Sequence, residues 1–197
     1  MPTDYHKIAK YLMEISMMGR RKHAGLYLGG TDLPENLATH SFRAAHIGYI
    51  LAKLEKADPQ KTALICLIHD NAEARIGDRN FVAMQYLDIP GIEEKAYKDQ
   101  VRNLPAPIAG EFLSLFREFE KSKEGIIARD ADRLDRALKV KELIDNGNKQ
   151  YQIWIDNTKK LLLTKSAKKV LQAIEHTLIT DWWKDMGDKT CKELSEL

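Results

Sequence analysis

The residues best suited to chemistry lie in the segment Ile68-His69-Asp70-Asn71-Ala72-Glu73-Ala74-Arg75-Ile76-Gly77-Asp78. An apolar run over residues 63–68 leads directly into His69 and Asp70, which indicates a helix whose end carries functional side chains. One imidazole and one carboxylate form a mixed donor set that suits a divalent cation. Adjacent residues on a helix do not face each other, but both can reach an ion at the helix edge. The pair alone is more typical of a helix cap or a chance surface feature than of a metal site, which needs further ligands from elsewhere in the chain.

Composition and charge exclude several functional classes. The chain has 197 residues, of which 44% are hydrophobic and 30% charged, with a net charge of +2. This balance gives no electrostatic indication of binding to a nucleic acid polymer or an acidic membrane. No apolar run approaches the roughly 18 residues of a membrane-spanning helix, and residues 1–7 lack the apolar centre of a signal peptide. Cys66 has no CxxC partner and is expected in the core, so a cytoplasmic location fits.

Apolar residues recur at three- and four-residue spacing along most of the chain, which predicts an all-α fold of roughly seven to nine helices. One helix is expected from 35–36 to about 57, with small residues along the stripe Leu37, Ser41, Ala44, Gly48 and Leu51. Later helices are expected from Asp58-Pro59, from about 126 to 146 with Gly147 as its stop, and over 166–186. We expect a single domain over residues 1–197, with its core in about 35–150 and the terminal helices packed on it.

Two further residues could complete a metal site. His40 lies beside the stripe of small residues, where a hydrogen-bonded core histidine is the alternative, and Asp132 lies beside the apolar stripe of a later helix. With His69 and Asp70 they would fill four positions of an octahedral ion. The two remaining positions would accept water and a substrate oxygen, which is the arrangement that metal-assisted hydrolysis needs.

Two acidic residues and a basic segment could complete such a site. Glu73 follows Asp70 by three residues, so on a continuing helix it stays on the same side and could take a proton from the water. Asp78 could orient Glu73. The basic, glycine-rich segment 19–30 contains Arg20 and Arg21. This segment is either a solvated turn or a flexible cationic wall for an anionic substrate.

The order of these residues resembles the H…HD…D signature of the HD-domain metal-dependent phosphohydrolases. A closer resemblance, to the 5′-deoxynucleotidase-like branch that removes phosphate from nucleoside 5′-monophosphates, covers roughly residues 5 to 185. It is carried by the segments Glu35-Asn36-Leu37-Ala38-Thr39-His40-Ser41-Phe42-Arg43, 69–78, Ala131-Asp132-Arg133-Leu134-Asp135 and Asn146-Gly147-Asn148. The resemblance implies the compact helical HD-domain fold.

The resemblance also implies a role for each candidate residue. The metal ligands would be His40, His69, Asp70 and Asp132. Glu73 would activate or position the water, and Asp78 would support the substrate, for example at its sugar. A loop arginine contacts phosphate in that branch, and here Arg20 and Arg21 are both candidates.

Two features of this sequence qualify the resemblance. The branch usually has Glu just before the first histidine, and here Thr39 takes that place. Thr cannot supply a carboxylate that supports a metal ligand, so the metal or substrate preference is open. HD phosphodiesterases with two metals use additional histidine ligands after the HD pair, and this sequence has no histidine between His69 and His176. The resemblance therefore implies one divalent ion per subunit: Mn, Co, Fe, Ni or Zn. The remaining histidines, His6, His23, His46 and His176, are expected to be structural or surface residues.

The leading functional prediction is therefore hydrolysis of (deoxy)nucleoside 5′-monophosphates through attack of a metal-bound water. Two alternatives remain: a phosphodiesterase or other phosphoester hydrolase with the same site, and a catalytically silent helical module that binds metal and nucleotide. The expected partner is a small nucleotide or phosphoester, with no nucleic acid polymer and no membrane. A homodimer is also expected, because the helices over 92–103 and 166–186 could bury apolar faces between subunits.

Overall fold

The computed structural model describes residues 4–87, 91–184 and 186, and over these residues the fold is all-α, as predicted. The only extended pairing in this part of the chain is an isolated bridge between Lys22 and Asn36. None of the described helices is long and apolar enough to cross a membrane. The α-helices are α1 Tyr5–Ile15, α2 Leu37–Leu54, α3 Pro59–Ile68, α4 Glu73–Ile76, α5 Phe81–Leu87, α6 Ile92–Val101, α7 Ala106–Glu118, α8 Lys123–Asp145, α9 Gln152–Leu161 and α10 Lys165–His176.

Side-chain caps fix the starts of the helices that carry the candidate residues. The Asn36 side chain accepts a hydrogen bond from the Thr39 amide at 2.9 Å and thereby starts α2. Asp58 caps α3, with Pro59 at the first helical position, as the sequence predicted. The Ser122 hydroxyl accepts a hydrogen bond from the Gly125 amide and starts α8. Each cap satisfies a backbone donor that a helix start would otherwise leave without a partner.

The centre of the molecule is the contact of α2 with α3 and α8. All five residues of the stripe predicted from the sequence are buried, including Gly48. A Cβ atom at Gly48 would lie 2.5 Å from Cys66 Sγ, so the missing side chain allows α2 to approach α3 closely. Cys66 is fully buried, as expected. This close packing fixes the end of α3 relative to α2.

The C-terminal helices pack on α8 and differ in one respect from the prediction. α8 stops near Gly147, whose φ of 99° is the predicted left-handed conformation. α9 and α10 contact α8. The prediction of one helix over 166–186 was wrong, because α10 ends at His176 and Thr177 is extended. The Thr177 hydroxyl donates to the Ala173 carbonyl at 2.9 Å, which occupies an acceptor of the last helical turn.

Short 3₁₀ helices over Ser16–Gly19 and Ala24–Gly29 connect α1 to α2. Tyr151 anchors this connection: its hydroxyl donates to the Leu26 carbonyl at 2.7 Å and accepts from the Thr31 amide at 3.1 Å. A Cβ atom at Gly29 would overlap the Tyr151 ring, so the ring occupies the space of a side chain. The connection is thus fastened to a residue more than a hundred positions away in sequence.

Candidate functional site

The structure brings His40, His69, Asp70 and Asp132 together. His40 lies in the first turn of α2, His69 and Asp70 directly follow α3, and Asp132 lies in α8. His40 Nε2 is 3.4 Å from an Asp70 oxygen and 3.3 Å from an Asp132 oxygen. His69 Nε2 lies 3.2 Å and 3.9 Å from oxygens of the same two aspartates. One atom from each of His40, His69 and Asp70 falls within 4.8 Å of the others.

Both imidazoles present a free nitrogen to this centre. His40 Nδ1 lies 2.6 Å from an Asp135 oxygen, and His69 Nδ1 lies 2.7 Å from the Cys66 carbonyl oxygen. These partners favour a proton on Nδ1 and leave Nε2 as the acceptor atom. Both Nε2 atoms are buried and have no hydrogen-bond partner among the described residues. Two such nitrogens facing two carboxylates form a donor set that fits a divalent cation.

The carboxylate that supports His40 is Asp135, whose role the sequence did not reveal. Asp135 is fully buried and shares the Arg43 guanidinium with Glu35, at 2.7 Å and 2.6 Å. A carboxylate on the outer nitrogen of a ligating imidazole fixes the ring and raises its basicity. Thr39 is exposed, and its hydroxyl bonds to Asn36. Asp135 of α8 therefore supplies a carboxylate beside His40, and the effect of Thr39 on metal or substrate preference stays open.

The charged side chains at the centre shift one another's pKa values. Burial by itself would raise the pKa of Asp132, but the Arg136 guanidinium and His40 outweigh it and hold that pKa well below the ordinary range. Burial would lower the pKa of His40, whereas the nearby carboxylates of Asp132, Asp135 and Asp70 raise it well above the ordinary range. The carboxylates of the centre thus stabilise positive charge, and a divalent cation would supply such charge.

Glu73 lies at the start of α4, close to the four residues. Burial, followed by the charges of Asp70, Asp78 and Glu93, raises the pKa of Glu73 from an ordinary value of 4.5 to about 10. Its Oε2 atom is buried and has no hydrogen-bond partner within the described part of the chain. A carboxyl group in this state is protonated at neutral pH, and positive charge placed nearby would favour its ionised form.

The other candidate residues connect the N-terminal segment to the site. Asp78 accepts a hydrogen bond from the Ala24 amide at 2.5 Å. Arg21 donates to the Ala74 carbonyl through Nε at 3.1 Å and through Nη2 at 2.9 Å. Arg20 is exposed, and its guanidinium contacts Met17 Sδ at 3.4 Å. The side chains of Asp78 and Arg21 thus hold the backbone of Ala24 and Ala74 in place. A phosphate contact for Arg20 or Arg21 stays a prediction.

His23, which was expected to be a structural or surface residue, is buried beside His40. Its ring centroid lies 4.9 Å from that of His40. Its Nδ1 atom lies 3.9 Å from a Glu35 oxygen. Phe119 stacks on His69 with ring centroids 4.9 Å apart. No local pattern signals these contacts, because each joins residues that are distant in sequence.

A family model described as an HD domain matches residues 21–175, which include all four residues of the centre. The chain belongs to the HD domain family. Among curated relatives of this HD domain, a 5′-deoxynucleotidase of Dictyostelium discoideum is 25% identical over 71% of this chain and 75% of its own length. A 5′-deoxynucleotidase of Erwinia tasmaniensis is 27% identical over 59% of this chain and 65% of its own.

A solved structure supports the same HD fold. A protein from Pyrococcus horikoshii OT3 superposes with a TM-score of 0.72 at 29% sequence identity, and the match covers 85% of this chain and 98% of that one. Within this HD domain, the imidazoles of His40 and His69 are 0% and 4% exposed, whereas the side chains of Asp70 and Asp132 are 22% and 13% exposed. The centre is therefore open to solvent on its carboxylate side.

Proposed function

We propose that this HD domain is a metal-dependent phosphohydrolase that removes phosphate from (deoxy)nucleoside 5′-monophosphates. The main supporting observation is the pair of buried Nε2 atoms on His40 and His69 that face Asp70 and Asp132 without a hydrogen-bond partner among the described residues. The similarity to curated 5′-deoxynucleotidases, at about 25% identity, supports the substrate class.

The proposed ligands are His40, His69, Asp70 and Asp132. A divalent ion there would lower the pKa of a coordinated water and polarise a phosphate oxygen. Glu73 takes the proton as the water oxygen bonds to phosphorus. The bond from phosphorus to the 5′ oxygen breaks, that oxygen takes up the proton that Glu73 accepted, and the products are nucleoside and orthophosphate.

The remaining candidate residues complete the proposal. Asp78 supports the sugar through the carboxylate oxygen that the Ala24 amide does not occupy. Arg20 or Arg21 neutralises phosphate charge. For Arg21, this contact requires the guanidinium to exchange the Ala74 carbonyl on α4 for the phosphate. The reaction needs Glu73 in its ionised form. A bound cation that offsets the negative charge of Asp70 and Asp78 would favour that form.

The experiment is phosphate release from ribo- and deoxyribonucleoside 5′-monophosphates, with 3′-monophosphates and triphosphates as controls. Each substrate is tested with Mn, Co, Mg or chelator, for the natural protein and for Asp70→Ala. We expect metal-dependent release only from 5′-monophosphates, and its loss in the variant. No release from any nucleotide, with metal demonstrably bound, would overturn the proposal in favour of another phosphoester or a silent binding module.

We also propose that the protein is a homodimer. Outward-facing apolar side chains on α2 support this: Phe42, Ile50 and Leu54 are 60%, 55% and 59% exposed. Apolar residues exposed in this way on one helix are typical of a contact surface. Light scattering on a sizing column should give twice the chain mass, and Ile50→Lys should shift the protein toward the single-chain mass. A natural protein with the mass of one chain would contradict the proposal.

A further inference from the structure

A cavity of about 360 Å³ lies between α8 and α9, and Arg136 in its wall contacts the metal-ligand candidate Asp132. Pockets for small ligands span roughly 300–1,000 Å³, so this volume suits one small molecule. Its wall includes Phe81, Arg136, Ile153, Trp154, Asn157 and Leu161.

The cavity wall combines aromatic faces with polar side chains. Trp154 on α9 is half-buried, Phe81 at the start of α5 is 65% exposed, and both line the cavity. Flat heterocyclic bases stack on such aromatic side chains irrespective of their identity. The exposed Asn157 amide offers both a donor and an acceptor to the edge of a base.

Arg136 links this cavity to the candidate metal centre. Its Nη2 atom bonds to Asp132 Oδ2, while Asp132 Oδ1 lies 3.3 Å from His40 Nε2. The Arg136 side chain is 41% exposed and also lines the cavity. A phosphate ester at the centre would therefore lie beside a guanidinium whose remaining N–H groups can bind its oxygens.

The proposed sugar-binding residue is close in sequence to the cavity wall. Asp78 precedes Phe81 by three residues, and Phe81 lines the cavity. Phosphate, sugar and base sites would then follow one another from the centre to the cavity.

A second cavity contacts the centre directly but suits a nucleoside less well. It measures about 210 Å³ and includes His69 and Asp70 in its wall, together with Glu93, Glu94 and Glu120. Its cations include Arg117, which is already paired with Glu94 at 2.6 Å. The larger cavity has Arg133 beside Arg136 in its wall and no carboxylate among the described residues that line it, so a phosphorylated substrate would meet no repulsive charge there.

We propose that the cavity between α8 and α9 binds the nucleoside part of the substrate, with Trp154 and Phe81 as stacking surfaces and Arg136 beside the phosphate. This inference rests on the proposed function and extends it, because it names the residues that distinguish a nucleotide from a phosphosugar. The cavity is expected to contribute to binding of any base, with Asn157 as the group that discriminates among bases.

The first test compares kcat/KM for a nucleoside 5′-monophosphate with kcat/KM for ribose 5-phosphate, which has no base to stack. In Trp154→Ala the ratio should fall about tenfold or more, mainly through KM for the nucleotide. Phe81→Ala, at a more exposed position where folding is less at risk, should shift the ratio in the same direction. Trp182→Ala provides the matched control, because Trp182 lines a different cavity with Leu178 and Ile174.

The second test measures binding without turnover. Saturation-transfer NMR with deoxyadenosine and thymidine should detect both nucleosides on the natural protein and on Trp182→Ala, and neither on Trp154→Ala. Nucleoside binding and substrate ratios that stay within twofold in both cavity variants would overturn the cavity assignment while leaving the hydrolase proposal intact. Absence of phosphate release with nucleoside binding that depends on Trp154 would reject the hydrolase proposal alone.

Discussion

At the scale of single residues, the orientation of His40 depends on one buried carboxylate. Asp135 accepts from His40 Nδ1 at 2.6 Å and from Arg43 Nε at 2.7 Å. Glu35 accepts from the same guanidinium. The buried charge of Asp135 is therefore compensated by Arg43, and the imidazole is left with Nε2 directed at Asp70 and Asp132.

Asp135→Asn should weaken metal binding while leaving the four proposed ligands in place. The amide oxygen can still accept from His40 Nδ1, but the lost charge makes the imidazole a poorer donor. We expect affinity for Mn or Co to fall roughly 10- to 100-fold, as measured by calorimetry. Asp145→Asn, which removes a carboxylate paired with Lys141 at the end of the same helix, is the control. Equal affinities for the two variants would contradict a role for Asp135.

Glu73→Gln should separate proton transfer from metal binding. Gln keeps the size of the side chain but cannot take a proton from water. We expect kcat to fall roughly 10²- to 10⁴-fold while the metal affinity changes little. Retained turnover would assign the proton transfer to another group, and a parallel loss of metal would identify Glu73 as a ligand instead.

The same variant tests the electrostatics of Glu73 in chelator-treated protein. Because burial raises the folded-state pKa of Glu73 to about 10, its contribution to stability is complete below pH 4.5 and declines as the pH rises toward 10. Gln does not ionise, so Glu73→Gln should have a higher Tm than the natural protein at pH 8. The difference should vanish near pH 4. A Tm difference independent of pH would indicate a packing effect.

Residues whose place on a helix follows from the local spacing of apolar residues could be predicted from the sequence. His40, His69, Asp70 and Asp132 each stand beside an apolar stripe, and the structure brings them together; their role as ligands stays a prediction. The contact of Arg136 with Asp132 was not predicted, although residues four apart on a helix are neighbours. The packing of His23 against His40 joins segments that only the tertiary fold brings together, so no local pattern could predict it.

At the scale of elements, close packing of α2 on α3 positions the centre. Gly48 of α2 faces Cys66 of α3, whose carbonyl oxygen lies 2.7 Å from His69 Nδ1. The small stripe and the cap at Asp58 were predictable from composition and capping preferences. The end of α10 at His176 was not, because the apolar periodicity continues beyond the residue where the backbone becomes extended.

Gly48→Ala should destabilise the protein, although Ala generally favours a helix over Gly. The new Cβ atom would lie 2.5 Å from Cys66 Sγ and 3.3 Å from Thr62 Cγ2, both on α3. Overpacking of this kind costs roughly 1–3 kcal/mol. A Cβ atom at Gly110, within α7, would meet no described atom of another element within 4 Å, so Gly110→Ala should gain about 0.5–1 kcal/mol. Urea unfolding of both variants measures the contrast, and a neutral Gly48→Ala would show that α2 and α3 can separate freely.

At the scale of the whole molecule, segments far apart in sequence enclose the centre. The connection between α1 and α2 is fastened by Asp78 at the Ala24 amide and by Tyr151 at the Leu26 carbonyl. Arg21 joins it to α4. α2 and α8 each contribute one proposed ligand, and α3 directly precedes the other two. An ion bound at the centre would therefore cross-link the helices that form the core.

Removal of metal should destabilise the fold in a localised way. A ligand at 100 times its Kd stabilises the folded state by about 2.7 kcal/mol, so chelation should lower Tm by about 5–10 °C for a chain of this size. Hydrogen exchange should increase at the start of α2, the end of α3 and the middle of α8, whereas α10, which carries no proposed ligand, should change little. Asp70→Ala should start from the lower Tm and respond weakly to chelator. A uniform rise in exchange across all helices would mean that the ion supports global folding and not only the contact among these three helices.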